Sequence, residues 1–171
     1  TLEGLAKLKP VVTAEGTVTA GNASGINDGA AAVLIASEAA IEQYQLKPRA
    51  KIIASTAVGV EPRIMGFAPA PAIKKLLKQA NLTLEQMDVI ELNEAFAAQA
   101  LAVTRDLGLA DDTTQVNPNG GAIAIGHPLG ASGARLVTTA LNQLEQTGGT
   151  YALCSMCIGV GQGIAMIIQR V

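Results

Sequence analysis

The chain has 171 residues, a formal net charge of −2 and 49% hydrophobic residues without any tryptophan, which suits one domain of ordinary size with a core of Ala, Val, Ile and Leu. No basic stripe or aromatic-rich patch is present, and no apolar run is long enough to cross a bilayer, so neither nucleic acid nor a membrane is an expected partner. Two cysteines argue against a disulfide scaffold and fit a reducing cytoplasm, where we expect the protein to reside.

Short apolar runs and helical periodicities alternate along the chain after an irregular lead-in of residues 1–24. Ser37 is a good N-cap, and Thr83 with Gln86 forms a capping box. In chain order, the pattern predicts a buried strand at 30–36, a helix at 37–44, a strand at 50–57, an amphipathic helix at 69–80, a strand at 87–92, a helix at 95–107, a short strand at 114–117, a helix at 131–146 and a hairpin of strands at 151–156 and 163–169. We therefore expect residues 25–171 to form one α/β layered domain, with a mixed, mostly parallel five-stranded sheet, helices on both faces and an antiparallel C-terminal strand.

His127 is the only histidine, and it lies in a glycine-rich loop between Gly126 and Pro128. A lone histidine is more often structural than catalytic, but a position between two residues that punctuate structure favours a functional one. The residues after it, 130–133, open a helix and could cradle an anion, although that signal is weak alone.

Cys154 and Cys157 form a C-x-x-C, but a structural zinc would need two further ligands and one histidine is all that remains. Strand alternation places the two thiols on opposite faces, so Cys154 is interpreted as a small core residue. Cys157 precedes the glycines 159, 161 and 163, and a functional role for it requires a pKa lowered by a nearby histidine or by backbone dipoles.

Asn93 and Glu94 lie at a strand-to-helix junction. Asn93 could cap the helix, or hold a water or an oxyanion at the carboxyl end of a parallel strand, and both can hold at once. Glu94 could be a base, although carboxylates are common in the first turn of a helix. The loop 21–29 could be a turn or could line a channel for an extended ligand.

Together, four segments resemble the C-terminal half of a thiolase, in thiolase order and spacing, and the match is closest to the acetyl-CoA acetyltransferases. They are residues 16–29 (GTVTAGNASGINDG), 93–96 (NEAF), 120–133 (GGAIAIGHPLGASG) and 157–163 (CIGVGQG). The resemblance implies a thiolase-like fold and the condensation of two acetyl-CoA molecules to acetoacetyl-CoA, or the reverse thiolysis, through an acyl-cysteine intermediate.

The resemblance also implies a role for each matching residue. Cys157 would be the acid/base cysteine that moves the α-proton of acetyl-CoA. His127 would activate the nucleophilic cysteine and donate to an oxyanion hole on the thioester oxygen, and Asn93 would hold the water that completes that hole. The backbone N–H of Gly159 would contribute to a second hole. Such chemistry needs a base beside each thiol and preorganised donors for each oxyanion.

Substrate contacts are implied in the same way: Ser24 falls where the family contacts the pantetheine arm of coenzyme A, and Phe96 matches a wall of the acyl pocket. No cofactor or metal is expected, because coenzyme A thioesters are substrates. The family's nucleophilic cysteine belongs to the N-terminal half and has no counterpart here, so we expect this chain to be inactive alone. Its expected partners are acyl-CoA and the missing N-terminal half, in a dimer or tetramer when complete.

Two other functions stay open at this point. The chain could be a stand-alone thiolase-like domain that binds coenzyme A or docks to a partner without turnover. A self-sufficient cysteine hydrolase built on Cys157 and His127 is the least favoured alternative, because the sequence offers no third group to orient the histidine.

Overall fold

The computed structural model describes residues 1–171, and its centre is one four-stranded sheet in the order β1-β4-β3-β2. The strands are β1 (Ala50–Gly59), β2 (Val89–Leu92), β3 (Tyr151–Ile158) and β4 (Gln162–Arg170). Strand β3 pairs in parallel with β2, whereas β4 pairs antiparallel with both β3 and β1. The α/β class and the terminal hairpin are confirmed, but the prediction of a mostly parallel sheet is wrong, because β4 turns back between β3 and β1.

Two of the six segments predicted as strands do not join the sheet, which has four strands, one fewer than the five expected. Residues 114–117 contribute only a single parallel bridge, from Val116 to Ile90 at the edge of β2. Residues 30–36 have no regular secondary structure, and Leu34 and Ile35 are 85% and 70% exposed. The run has the composition of a buried strand, but no strand of this chain pairs with it.

The helices agree more closely with the sequence prediction. They are α1 (Leu2–Ala6), α2 (Glu38–Tyr44), α3 (Pro69–Ala80), α4 (Ala97–Asp106), α5 (Ala122–Ile125) and α6 (Leu129–Thr147). The Ser37 side chain accepts a hydrogen bond from the Ala40 N–H at the start of α2, and the capping box of Thr83 and Gln86 is present. Helix α1 lies in the stretch expected to be irregular. None of the helices is both long and apolar enough to cross a membrane.

Helices cover both faces of the sheet, as predicted, and each face has its own hydrophobic cluster. Helices α3 and α4 bury Ile73, Leu76 and Val103 against Ile90, Leu153 and Ile167 on one face. Helix α6 buries Leu136, Ala140 and Leu144 against Val89, Cys154 and Ile168 on the other. Neighbouring residues such as Leu153 and Cys154 therefore enter different clusters, as the period of two along a strand requires.

Candidate active site at the carboxyl edge of the sheet

The candidate catalytic residues collect at the edge where β2 and β3 end. Because the two strands are parallel, their carboxyl ends share one edge of the sheet, which is where ligand sites of α/β proteins form. Asn93 directly follows β2, and its backbone N–H donates to the Ser155 carbonyl at 3.0 Å. Cys157 is the penultimate residue of β3 and pairs with Gly163 across the hairpin.

The His127 loop is fastened to this edge by residues from the beginning of the chain. The His127 N–H donates to the Gly25 carbonyl at 3.0 Å and to Asn27 Oδ1 at 2.9 Å. Gly126 has a φ of 96°, which favours glycine, and a Cβ at this position would collide with the Asn27 side chain. The backbone on both sides of the histidine is therefore held in place before any side chain is considered.

Both ring nitrogens of His127 have a partner within the chain. The Nε2 atom lies 3.4 Å from Asn93 Nδ2, and the Nδ1 atom lies 2.6 Å from the hydroxyl of Ser132, which is fully buried. The sequence prediction placed residues 130–133 in a possible anion cradle and missed this contact. A hydroxyl five residues after the histidine, in the first turn of the next helix, was the available signal.

Burial and the charge of Arg135 determine the protonation state of His127. Burial lowers the pKa of the half-buried imidazole, and the nearby Arg135 guanidinium lowers it further, so the neutral ring predominates at pH 7. Arg135 Nη1 lies 3.2 Å from Glu91 Oε2, and the Glu91 side chain is fully buried. Burial raises the pKa of Glu91 to about 7, against the opposing effect of Arg135. No motif in the sequence singled out this pair.

Asn93 and Glu94, which follow β2, are held in different ways. Helix α4 begins after Phe96 and no side chain caps it, so the prediction that Asn93 caps this helix is wrong. The Asn93 side chain is fully buried, and its Oδ1 atom has no hydrogen-bond donor within the chain. Glu94 is engaged on both oxygens, by Asn117 Nδ2 at 3.0 Å and by the Ile123 N–H at 3.1 Å. These contacts give the Glu94 carboxylate a structural role in fixing the His127 loop.

The two cysteines occupy different environments. Cys154 belongs to the cluster under α6, where burial raises its pKa far above the ordinary range, so its interpretation as a core residue is confirmed. Cys157 is 7% exposed, and burial raises its pKa as well. The lowered pKa required by the sequence argument is not found, because the cost of removing a thiolate from water outweighs the backbone hydrogen bond that favours it. No hydrogen bond joins the Cys157 thiol to His127 or Asn93.

The remaining candidates border the same edge. The Ser24 N–H and hydroxyl both donate to the Ala95 carbonyl, at 3.0 and 3.3 Å, and Phe96 bridges to Ala23 and is 42% exposed. Gly159 follows β3 in the hairpin turn, and a Cβ there would meet no atom within 4 Å. The structure contains no cluster of three or more His, Cys, Asp or Glu side chains suited to a metal ion.

Comparison with known proteins assigns the chain to a family. Residues 46–170 match the family model "Thiolase, C-terminal domain", and residues 1–39 match "Thiolase, N-terminal domain". The chain is 88% identical over its full length to the β-ketoadipyl-CoA thiolase of Acinetobacter baylyi, of which it covers 43%. It is 51% identical over 169 residues, 99% of this chain, to the acetyl-CoA acetyltransferase of Syntrophomonas wolfei, again covering 43% of that protein.

A solved structure shows the same fold. The crystal structure of the Bacillus anthracis acetyl-CoA acetyltransferase matches the whole chain with a TM-score of 0.94 and 44% identity, over 43% of its own length. The chain thus spans less than half the length of the relatives that it matches.

Proposed function

Because the chain belongs to the thiolase family, we propose that it supplies the acid–base half of a thiolase active site. The observation that carries the proposal is the cluster of Asn93, His127 and Ser132 at the carboxyl edge of β2, beside the end of β3 that bears Cys157. The complete enzyme would be an acyltransferase, and its nucleophilic cysteine would come from the part of a thiolase that this chain does not contain.

In the cleavage direction, the nucleophilic thiol loses its proton to Nε2 of His127, which is neutral at pH 7. The thiolate attacks the 3-oxo carbon of the substrate, and the bond between C2 and C3 breaks. The electron pair stays on C2 and gives the enolate of acetyl-CoA. The Nε2–H of the charged His127 and a water held by Asn93 would stabilise the enolate oxygen, and the Gly159 N–H would stabilise the oxyanion of the preceding tetrahedral adduct.

Cys157 would deliver the proton that C2 needs. Its pKa is raised by burial, so the thiol form predominates and can act as an acid. The Cys157 thiolate then takes the proton of the incoming coenzyme A thiol, whose sulfur accepts the acyl group. The acyl–cysteine bond breaks, and the nucleophile recovers its proton from His127. Each protonation state is thereby restored, and the same steps in reverse constitute a condensation.

For the substrate, we propose β-ketoadipyl-CoA in preference to acetoacetyl-CoA. The supporting observation is the 88% identity to a protein named for that substrate, against 51% to one named acetyl-CoA acetyltransferase. Cleavage between C2 and C3 of this six-carbon dicarboxylic thioester would give acetyl-CoA and a four-carbon carboxyacyl-CoA. Acetoacetyl-CoA, which the sequence motifs favoured, is the second candidate, supported by the likeness to the Bacillus anthracis enzyme.

The experiment is to assemble the chain with an N-terminal thiolase half and to measure thiolysis of both substrates under identical conditions. We expect a higher kcat/KM for β-ketoadipyl-CoA, and loss of turnover of both substrates in His127→Ala. A preference for acetoacetyl-CoA would select the second candidate. Binding of coenzyme A without turnover of either substrate would instead support a docking domain. The cytoplasmic location, the dimer or tetramer, and the use of coenzyme A thioesters without a cofactor stay proposals that rest on the family resemblance.

A further inference from the structure

Three hydroxyl groups in helix α6 donate to the backbone carbonyl four residues earlier. They are Ser132 to Pro128 at 3.0 Å, Thr138 to Ala134 at 2.9 Å and Thr147 to Gln143 at 2.9 Å. This contact is an ordinary feature of serine and threonine in helices and implies no function. Ser132 differs from the other two because its oxygen has a second neighbour, His127 Nδ1, at 2.6 Å.

The contacts at the two ends of the imidazole agree on where its proton lies. The Ser132 hydroxyl gives its single proton to the Pro128 carbonyl, so its oxygen is left as an acceptor for an Nδ1–H. At the opposite end, Asn93 Nδ2 belongs to an amide NH₂ group, which can only donate, and it faces Nε2 at 3.4 Å, which suits an unprotonated Nε2. Both contacts favour the tautomer with the proton on Nδ1.

We infer that Ser132 is a positioning residue, whose hydroxyl holds the neutral His127 ring with its proton on Nδ1 and leaves Nε2 as the free base. Its catalytic consequence rests on the proposed thiolase function, because only an unprotonated Nε2 can take the proton of a nucleophilic thiol. Ser132 accepts the same Nδ1–H before and after Nε2 is protonated, so the ring need not turn during the reaction. The full burial of Ser132 excludes water as a competing partner for its oxygen.

The tautomer can be read directly, because His127 is the only histidine of the chain. ¹⁵N-labelled histidine is incorporated into this chain, and the two ring-nitrogen shifts are measured at pH 7, for the chain alone and after assembly with an unlabelled N-terminal thiolase half. We expect a protonated Nδ1 and an unprotonated Nε2. In Ser132→Ala, we expect the proton to redistribute towards Nε2, whereas Ser132→Thr, which keeps the hydroxyl, should retain the wild-type pattern.

Thr138→Ala is the matched control, since it removes the same kind of helix hydroxyl away from the ring and should leave both shifts unchanged. Ser132→Cys fills the space of the hydroxyl with a weaker acceptor and replaces the alanine variant if that variant does not fold. A wild-type proton on Nε2, or ring shifts that are identical in the wild type and the Ser132 variants, would overturn the inference.

A kinetic measurement tests the consequence separately. In the assembled enzyme, Ser132→Ala should slow acylation of the nucleophile roughly 10–100-fold. This is the range of losses seen in other proteins when a group that orients a metal-binding histidine is removed. An unchanged acylation rate would contradict the positioning role. If the assembled wild type shows no thiolysis but has the proton on Nδ1, the proposed function fails and the assignment of the Ser132 contact stands.

Discussion

Residues 30–36 and strand β3 are both short apolar runs, but β3 is a central strand of the sheet, whereas residues 30–36 form no strand. Strand β3 has a partner on each side and buries Leu153 and Cys154 in the two clusters of the core. Residues 30–36 pair with nothing and leave Leu34 85% exposed. An apolar groove of about 660 Å³ lies beside them, lined by Val33 and by residues of α6 and β3. The chain thus contains the two core clusters that support its site, but it leaves the apolar surface formed by residues 30–36 and the groove uncovered.

The largest expected effect is the absence of turnover in the isolated chain. We expect no measurable thiolysis by the isolated chain, because its two cysteines are a core residue and a proposed acid, and neither is proposed as the acyl-accepting thiol. Steady-state assays with β-ketoadipyl-CoA and acetoacetyl-CoA check this expectation. Clear turnover that is lost in Cys157→Ala would transfer the nucleophile role to Cys157.

Within the assembled enzyme, the next largest effect should come from the end of β3. Cys157→Ser should slow exchange of the methyl protons of acetyl-CoA by about 10²–10⁴-fold, because a hydroxyl is a far poorer acid–base group than a thiol. Acylation of the nucleophile should change much less. Following the two half-reactions separately distinguishes them, and wild-type proton exchange combined with failed acylation would show that Cys157 is not the acid/base.

His127→Ala should impair both half-reactions, since the ring is assigned both to nucleophile activation and to an oxyanion hole. Removal of one such donor costs roughly 10²–10³-fold. Asn93→Ala should have a milder effect because Asn93 acts through a water, although the fully buried position makes a check of folding necessary. Equal losses in the two variants, with folding intact, would place Asn93 in direct contact with the reacting atoms.

Substitutions in the two apolar runs should change the stability of the chain by unequal amounts. Leu153→Ala empties a fully buried position and should lower the free energy of unfolding by about 2–5 kcal/mol. Leu34→Ser should change it by less than about 0.5 kcal/mol in the isolated chain, because Leu34 is already exposed. Urea titration measures both changes.

The exposed run should also make the isolated chain associate and bind a hydrophobic dye, more weakly after Leu34→Ser. Sedimentation and dye fluorescence report on this. A monomeric wild type that binds no dye would mean that the apolar surface is covered in solution.

These contrasts also show what the sequence could and could not predict. The bounds of α3, the cap at Ser37 and the hairpin depend on residues that are close in sequence, and all three were predicted. Whether residues 30–36 form a strand depends on the presence of a partner strand, and the amino-acid composition of the segment contains no information on that. The Glu91–Arg135 pair depends on how α6 lies across β2, so no local pattern could identify it. The Ser132 contact spans only five residues, but a serine at that spacing does not by itself indicate which way its hydroxyl points.

A pH-dependent effect on stability is expected from Glu91, which lies buried beneath the site. Burial raises the pKa of Glu91 to about 7 in the folded chain, so the folded state binds the proton more tightly than the unfolded state does. The stability from this group is complete below the unfolded pKa, near 4.5, and is lost as the pH rises through about 7. Glu91→Gln should flatten this fall in stability between pH 5 and pH 7.5, as measured by urea unfolding at several pH values.

Glu145→Gln is the control, because the pKa of this exposed carboxylate is lowered by its hydrogen bond with Arg49 and its contribution has the opposite sign. The isolated chain should already show the dependence on Glu91, since both partners of the Glu91–Arg135 pair lie within it. If the pH profile is the same in the wild type and in Glu91→Gln, then Glu91 is ionised in the folded state throughout this range. The Arg135 guanidinium would then be neutralised by a full carboxylate charge, and its effect on His127 would be weaker than the structure indicates.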